Sequence, residues 1–164
     1  MKIVSGGQTG VDRAALDIAI QLNIPHGGWC PKGRLAEDGT IPVKYALTET
    51  NSSEYSERTK LNIRDSDGTL ILVPDALVKI SDGTQLTKQE VAEKNKPYLI
   101  IQLNQAGNIE QIADWIKLNK IEILNIAGPR ESTCPGIYQQ CREFLESTLR
   151  SLTMTIAENP RPRA

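Results

Sequence analysis

SGGQTGVDRAALDIAI, running from Ser5 to Ile20, joins a glycine-rich turn directly to an amphipathic helix. The β-rich run KIVSG (Lys2–Gly6) leads into it. Val11, Ala14, Ala15, Ile18, Ala19 and Leu22 then recur with a helical period on one face. Strand, tight turn and helix make the first half of a β/α unit, and the rest of the chain repeats the alternation. IPHGGW around His26 reads as a short second strand interrupted by glycine, and CPKGRLAEDGT after it as a loop. SSEYSERTKLNIRDSD is a polar helix and GTLILVP (Gly68–Pro74) a buried-type strand. LTKQEVAEKN is a short helix with Thr87 and Glu90 spaced as a capping box, followed by a fourth strand, YLIIQL (Tyr98–Leu103). Ile109, Ile112, Ala113 and Ile116 give the next helix its buried face, and IEILNIAG (Ile121–Gly128) is the fifth strand. Pro135 suits the first turn of a last helix carrying Ile137, Cys141, Phe144, Leu145 and Leu149.

Strands alternating with helices imply an α/β fold with a mostly parallel five-stranded sheet. The third to fifth strands are continuous apolar runs, as expected of a sheet covered on both faces. The short second strand belongs at an edge, and the expected strand order is 2-1-3-4-5. Residues 1–152 form a single domain, and 153–164, ending in ENPRPRA, a disordered tail.

A chain of 164 residues with 39% hydrophobic and 24% charged residues fits one globular domain. The formal net charge of −1 carries no basic excess, so no nucleic-acid partner is expected and any anion site must be local. The three cysteines, Cys30, Cys134 and Cys141, match no zinc spacing and read as free thiols in a reducing compartment. Met1-Lys2 leads straight into IVSG, and no apolar run approaches a membrane span; a cytoplasmic location is the expectation.

Ligands of open α/β sheets bind beyond the carboxyl ends of the strands, where the strand order reverses. With order 2-1-3-4-5 that point lies between strands one and three. The first loop there is SGGQTG. Gly6, Gly7 and Gly10 permit close backbone approach, and the amides of Gln8, Thr9 and Gly10 suit an anion at a helix N-terminus. The same residues also read as a bare tight turn, with Thr9 and Asp12 as a capping box. Neither G-x-G-x-x-G nor G-x-x-x-x-G-K-[ST] is present, which argues against NTP hydrolysis of the P-loop type. The second loop, SDGTQLT (Ser81–Thr87), offers Gly83 and Thr84 as contacts or a turn with a Thr87 cap. The third, AGPRES (Ala127–Ser132), offers Gly128, Arg130 and Ser132, with Arg130 either on an oxyanion or paired to Glu131. WCPKGR adds Lys32, Gly33 and Arg34 as local positive charge. It also brings Cys30, a soft-metal ligand or, more simply, a buried thiol. Glu54, Arg58 and Asn62 share one helix face, as an i,i+4 ion pair or as a groove wall. His26 is the single histidine, and no His, Cys or carboxylate cluster has metal spacing. The pattern suits binding better than reaction.

SGGQTGVDRAALDIAI, GGWCPKGRLAEDG, YSERTKLNIRDSDGTLIL and AGPRES together resemble the molybdenum cofactor carrier family, over about Ile3 to Leu145. The resemblance implies a Rossmann-like three-layer fold. The same fold occurs in the lysine decarboxylase-like phosphoribohydrolases and the DNA-processing protein A module. It implies a homo-oligomer, often a tetramer, that binds, stores, protects or transfers the molybdenum cofactor without catalysis, with molybdoenzymes as recipients. Molybdopterin ends in a phosphate, and molybdate or another oxyanion seeks the same donors. The residues carried over are Gly6, Gly7, Gln8, Thr9, Gly10, Lys32, Gly33, Arg34, Arg58, Gly83, Thr84, Gly128, Arg130 and Ser132, with Asn62 on the groove face. The phosphoribohydrolase pattern P-G-G-x-G-T-x-x-E departs here: the first glycines are missing, and Gln85-Leu86-Thr87 follow Gly83-Thr84 with no glutamate at the place of that family's catalytic one. A nucleotide-processing enzyme and a module sensing a nucleotide-derived ligand are the other two readings.

Overall fold

The computed structural model describes residues 1–74 and 82–158. Ser81, in the second candidate loop, and residues 159–164 of the expected tail lie outside the described residues. In chain order the elements are β1 (Lys2–Val4), α1 (Val11–Gln21), β2 (His26–Gly27), β3 (Trp29–Cys30), β4 (Leu35–Ala36), β5 (Gly39–Thr40) and β6 (Thr48–Glu49). They continue with α2 (Tyr55–Arg64), β7 (Gly68–Val73), α3 (Asp82–Glu93), β8 (Tyr98–Gln102), α4 (Asn108–Leu118), β9 (Ile123–Ala127) and α5 (Ile137–Glu158). The last helix thus continues through Glu158.

The main sheet is parallel and five-stranded, ordered β2-β1-β9-β7-β8. The expectation of a parallel α/β sheet holds, and β2 is at an edge as expected. The expected order does not hold: the fifth main strand, β9, enters between β1 and β7 instead of closing the far edge. Its neighbours explain the placement. Leu124, Asn125 and Ile126 are all buried, whereas Tyr98 of β8 is 43% exposed, so β8 is the outer strand despite its apolar run. Ser5 Oγ donates to Ile126 O at 2.7 Å, and Val11 N to Pro129 O at 3.2 Å, stitching the ends of β1 and β9 together. Gly10 has φ +76, and a Cβ there would lie 2.5 Å from Pro129 O. That glycine serves a close approach between two stretches of chain.

The two faces of the sheet differ. Helices α1, α4 and α5 pack on one face around Ile3, Leu70, Ile101, Ile112, Leu124 and Leu145. Helices α2 and α3 pack against each other over the other face, where Asn125 and Thr69 are both buried and share a hydrogen bond of 3.2 Å. The segment read as a loop after β2 is an insertion with its own structure. β3 pairs in parallel with β6, β4 pairs antiparallel with β5, and Leu16, Cys30, Ala36, Ile41 and Tyr45 form a small core beneath. Gly28, at φ +127, breaks the run IPHGGW and sends Trp29 out of the main sheet. No helix among the described residues is long and apolar enough to cross a membrane.

Candidate functional site

A cleft opens at the carboxyl end of the sheet, between the loop after β1, the end of β9 and the helices α2 and α3. Strand order moves the crevice from β1 and the third main strand to β1 and β9. Of the residues singled out from sequence, Gly6, Gln8, Arg58, Asn62, Gly128 and Arg130 line it together. Asp12, Tyr55, Thr59, Leu86, Thr87 and residues 125–127 at the end of β9 complete the walls.

The centre of the cleft is an ion pair. Arg58 Nη1 lies 2.7 Å from Asp12 Oδ2, with side-chain exposures of 16% and 5%. The same Oδ2 accepts a hydrogen bond from Gln8 N at 3.2 Å. Arg58 reaches Asp12 by crossing Gly6, where a Cβ would fall 1.6 Å from Nη1 and 2.5 Å from Cζ. Gly6 is therefore needed for the guanidinium to lie flat over the turn. Nε of Arg58 is buried without a hydrogen-bond partner, alone in this among the described side-chain nitrogens and oxygens. Of the two readings of this helix face, the i,i+4 pair of Arg58 with Glu54 gives way to this pairing across the cleft, because burying the guanidinium beside Asp12 satisfies a carboxylate that would otherwise be isolated.

The turn itself is filled by the chain's own groups. Gln8 N reaches Asp12, Thr9 N reaches Gln8 Oε1 at 3.0 Å, and Val11 N reaches Pro129 O. The Thr9–Asp12 capping box does not form as expected. Asp12 turns back to the Gln8 amide, while the Thr9 hydroxyl donates to Glu37 of the insertion. Glu37 also accepts from Ser132 N at 3.1 Å and from the Ser132 hydroxyl. Burial alone would raise the Glu37 carboxyl; the hydrogen bonds from Ser132 and Thr9, with Arg130 nearby, outweigh it and hold the group below the ordinary value. Arg13 grips Asp38 through two bonds of 3.0 Å. Glu37 and Asp38 thus latch the insertion onto the first and third candidate loops.

The remaining sequence-predicted residues take other places. The Arg34 guanidinium donates to the carbonyls of Ile41, Leu47, Pro42 and Tyr45 at 2.9–3.1 Å, closing the insertion on itself. Lys32 and Gly33 lie beside it on an exposed turn, away from the cleft lining. Asn62 lines the cleft, but its amide is taken by the Trp29 backbone, at 2.8 and 3.0 Å. Gly7, at φ +76, faces Leu47 and Ile41 of the insertion. Gly83 and Thr84 belong to α3, which starts at Asp82. Thr87 is therefore inside the helix instead of capping it, and Glu90 pairs with Lys60 at 3.2 Å. Glu131 does not pair with Arg130: it accepts from Gly136 N and Tyr138 N and caps α5. Cys30 is fully buried, and burial pushes its thiol up, which disfavours a thiolate ligand. No group of three metal-ligating side chains occurs among the described residues.

Residues 3–149 match the model of the circularly permutated YpsA SLOG family. The chain belongs to that family. Among solved structures, this SLOG-family chain is similar to a protein from Syntrophus aciditrophicus SB described as a "Putative molybdenum carrier protein". The two share 49% sequence identity with a TM-score of 0.82, over 90% of this chain and 94% of that one. No curated protein matches the chain. Asp12 and Asn125, which are not among the residues singled out from sequence, are buried residues of the cleft lining. A carboxylate in a helix's first turn, just after three glycines, is the signal the sequence carries for Asp12.

Proposed function

We propose that the chain is a carrier of the molybdenum cofactor, holding molybdopterin and its molybdenum as cargo in the cleft over Gly6 without transforming it. The observation that carries this reading is the Asp12–Arg58 pair in the cleft lining, with a buried guanidinium N–H left unsatisfied. Such a donor set fits a phosphate or metal-oxo group. The name of the 49%-identical relative supports molybdenum as the metal concerned. Gly6, Gln8, Arg58, Gly128 and Arg130 make the binding walls in this reading; Arg34, Lys32 and Asn62 shape the surrounding backbone. Leu86 lines the cleft, and an alkyl group there favours retention of a ligand over acid–base chemistry on it. The protein works as a homo-oligomer in the cytoplasm and passes its cargo to molybdoenzymes.

The test is anaerobic incubation of the native chain with isolated molybdenum cofactor, followed by gel filtration and controlled exposure to air. Molybdenum should elute with the protein, and the cofactor should decay more slowly than in buffer. Equal decay with and without protein, and molybdenum only in the small-molecule fraction, would refute the carrier role. Nucleoside monophosphates incubated with the same preparation should release neither base nor phosphate.

A further inference from the structure

Two donors in the cleft, on Gln8 and Arg58, have hydrogen-bonding capacity left over and are held in place. Gln8 is only 6% exposed, and its Oε1 accepts from both Thr9 N and Glu37 N at 3.0 Å. An amide whose oxygen is held by two N–H groups must turn its NH2 the other way. Gln8 lines the cleft, and its Nε2 forms no hydrogen bond with the described residues. Arg58 engages Asp12 through Nη1 alone. Its Nε is buried and unpartnered, so the edge formed by Nε and Nη2 remains for a ligand. A guanidinium offers that edge as two parallel N–H bonds, which suits two oxygens of one oxyanion.

The helix N-terminus is a poorer receptor here. Gln8 N, Thr9 N and Val11 N already bond to Asp12, to the Gln8 side chain and to Pro129. Of the amides of this turn, those of Gln8, Thr9 and Val11 are thus closed off by the chain itself.

We infer that Gln8 Nε2 and the Nε/Nη2 edge of Arg58 form a seat for one tetrahedral oxyanion, a phosphate monoester or a molybdate-type group, built on side-chain donors instead of the amides of the α1 turn. Asp12 is the positioning residue. One of its oxygens holds both the Gln8 backbone and Arg58 Nη1, so the two donors share an anchor. Gly6 keeps the seat open, because a side chain there would displace the guanidinium. Arg130, 42% exposed, adds positive charge at the rim. The inference rests on the cleft being the ligand site of the carrier reading and assigns the oxyanion end of that ligand.

The test titrates the full chain by calorimetry with inorganic phosphate, molybdate and phenyl phosphate, in native form and as Gln8→Glu and Arg58→Lys. Gln8→Glu keeps the oxygen that Thr9 and Glu37 need and replaces the donor with a second carboxylate oxygen. Arg58→Lys keeps a cation beside Asp12 and removes the two-pronged edge. Each should weaken oxyanion binding by about ten-fold or more, the effect of losing a hydrogen bond to a charged group. Phenyl phosphate as the tightest probe would assign the seat to a phosphate ester, and molybdate as the tightest to the metal-oxo end. No binding of any probe to the native chain, or undiminished binding by a folded Gln8→Glu and Arg58→Lys, overturns the seat. Where Gln8→Glu fails to fold, Arg58→Lys carries the test. Cofactor retention separates the two levels: retention unchanged in both variants removes the seat and leaves the carrier reading. Oxyanion binding lost in the variants, with no cofactor retained by the native chain, does the reverse.

Discussion

Arg34 and Arg58 are two arginines that sequence put into the same pocket, and the fold uses them in opposite ways. The Arg34 guanidinium spends four of its five N–H groups on backbone: four carbonyls between Ile41 and Leu47 accept from it, and its own carbonyl accepts from Ile41 N at 2.7 Å. Arg58 has one carboxylate partner, an orphaned Nε and an open cleft beside it. A guanidinium that gives each of its nitrogens to backbone carbonyls is holding a loop together; one left with an orphaned nitrogen in a polar cleft is poised for a ligand. The difference is in the residual hydrogen-bonding capacity, which residue type alone does not reveal.

Substitutions at the two sites should therefore separate stability from binding. Arg34→Ala strands several carbonyls of the insertion, and we expect the largest stability loss here, about 2–3 kcal/mol in denaturant unfolding. Below its melting temperature this variant should still retain cofactor. Loss of retention with unchanged stability would return Arg34 to the ligand set. Gly6→Ala works the other way. The added methyl meets the end of a flexible side chain, so the chain should still fold, at a cost of about 1–2 kcal/mol for the buried carboxylate that loses its partner. Arg58 must swing away from Asp12, however, and cofactor retention should fall by about ten-fold or more. Retention at the native level would mean that the guanidinium over Gly6 is not part of the site.

The smallest expected effect concerns acid. The hydrogen-bonded Glu37 carboxyl titrates below its ordinary value of 4.5 in the folded protein. Its latch thus contributes stability that is complete above the ordinary value and is lost as pH falls through the depressed one. Glu37→Gln should flatten part of the acid limb of the stability curve below about pH 4.5 and leave the neutral region nearly parallel to native. An unchanged acid limb would show that the contacts to Thr9 and Ser132 are not maintained in solution.

Local order was largely readable from the chain. The helical period from Val11 to Leu22, the apolar runs at Gly68 and Ile121, and the glycine turn between β1 and α1 all appear at the expected places. What escaped the reading depends on residues distant in sequence. The position of β9 is decided by its pairing with β1, over contacts such as Ser5 to Ile126. The partner of Arg58 is Asp12, 46 positions away, and no i,i+4 rule points to it. Asn62 lines the cleft, yet its amide closes on Trp29, which the departure of β3 from the main sheet explains. The short strands of the insertion hold two residues each, below the length at which alternation can be seen.

The central claim, that the Arg58 cleft and not the Arg34 insertion holds a molybdenum-bearing cargo, is open to one direct observation. Crystals of the full chain grown with molybdenum cofactor under anaerobic conditions would be measured on both sides of the molybdenum absorption edge. The account predicts an anomalous peak inside the cleft lined by Gly6, Arg58 and Arg130. A peak among Cys30, Lys32 and Arg34, or none at all in crystals shown to contain the metal, would contradict it.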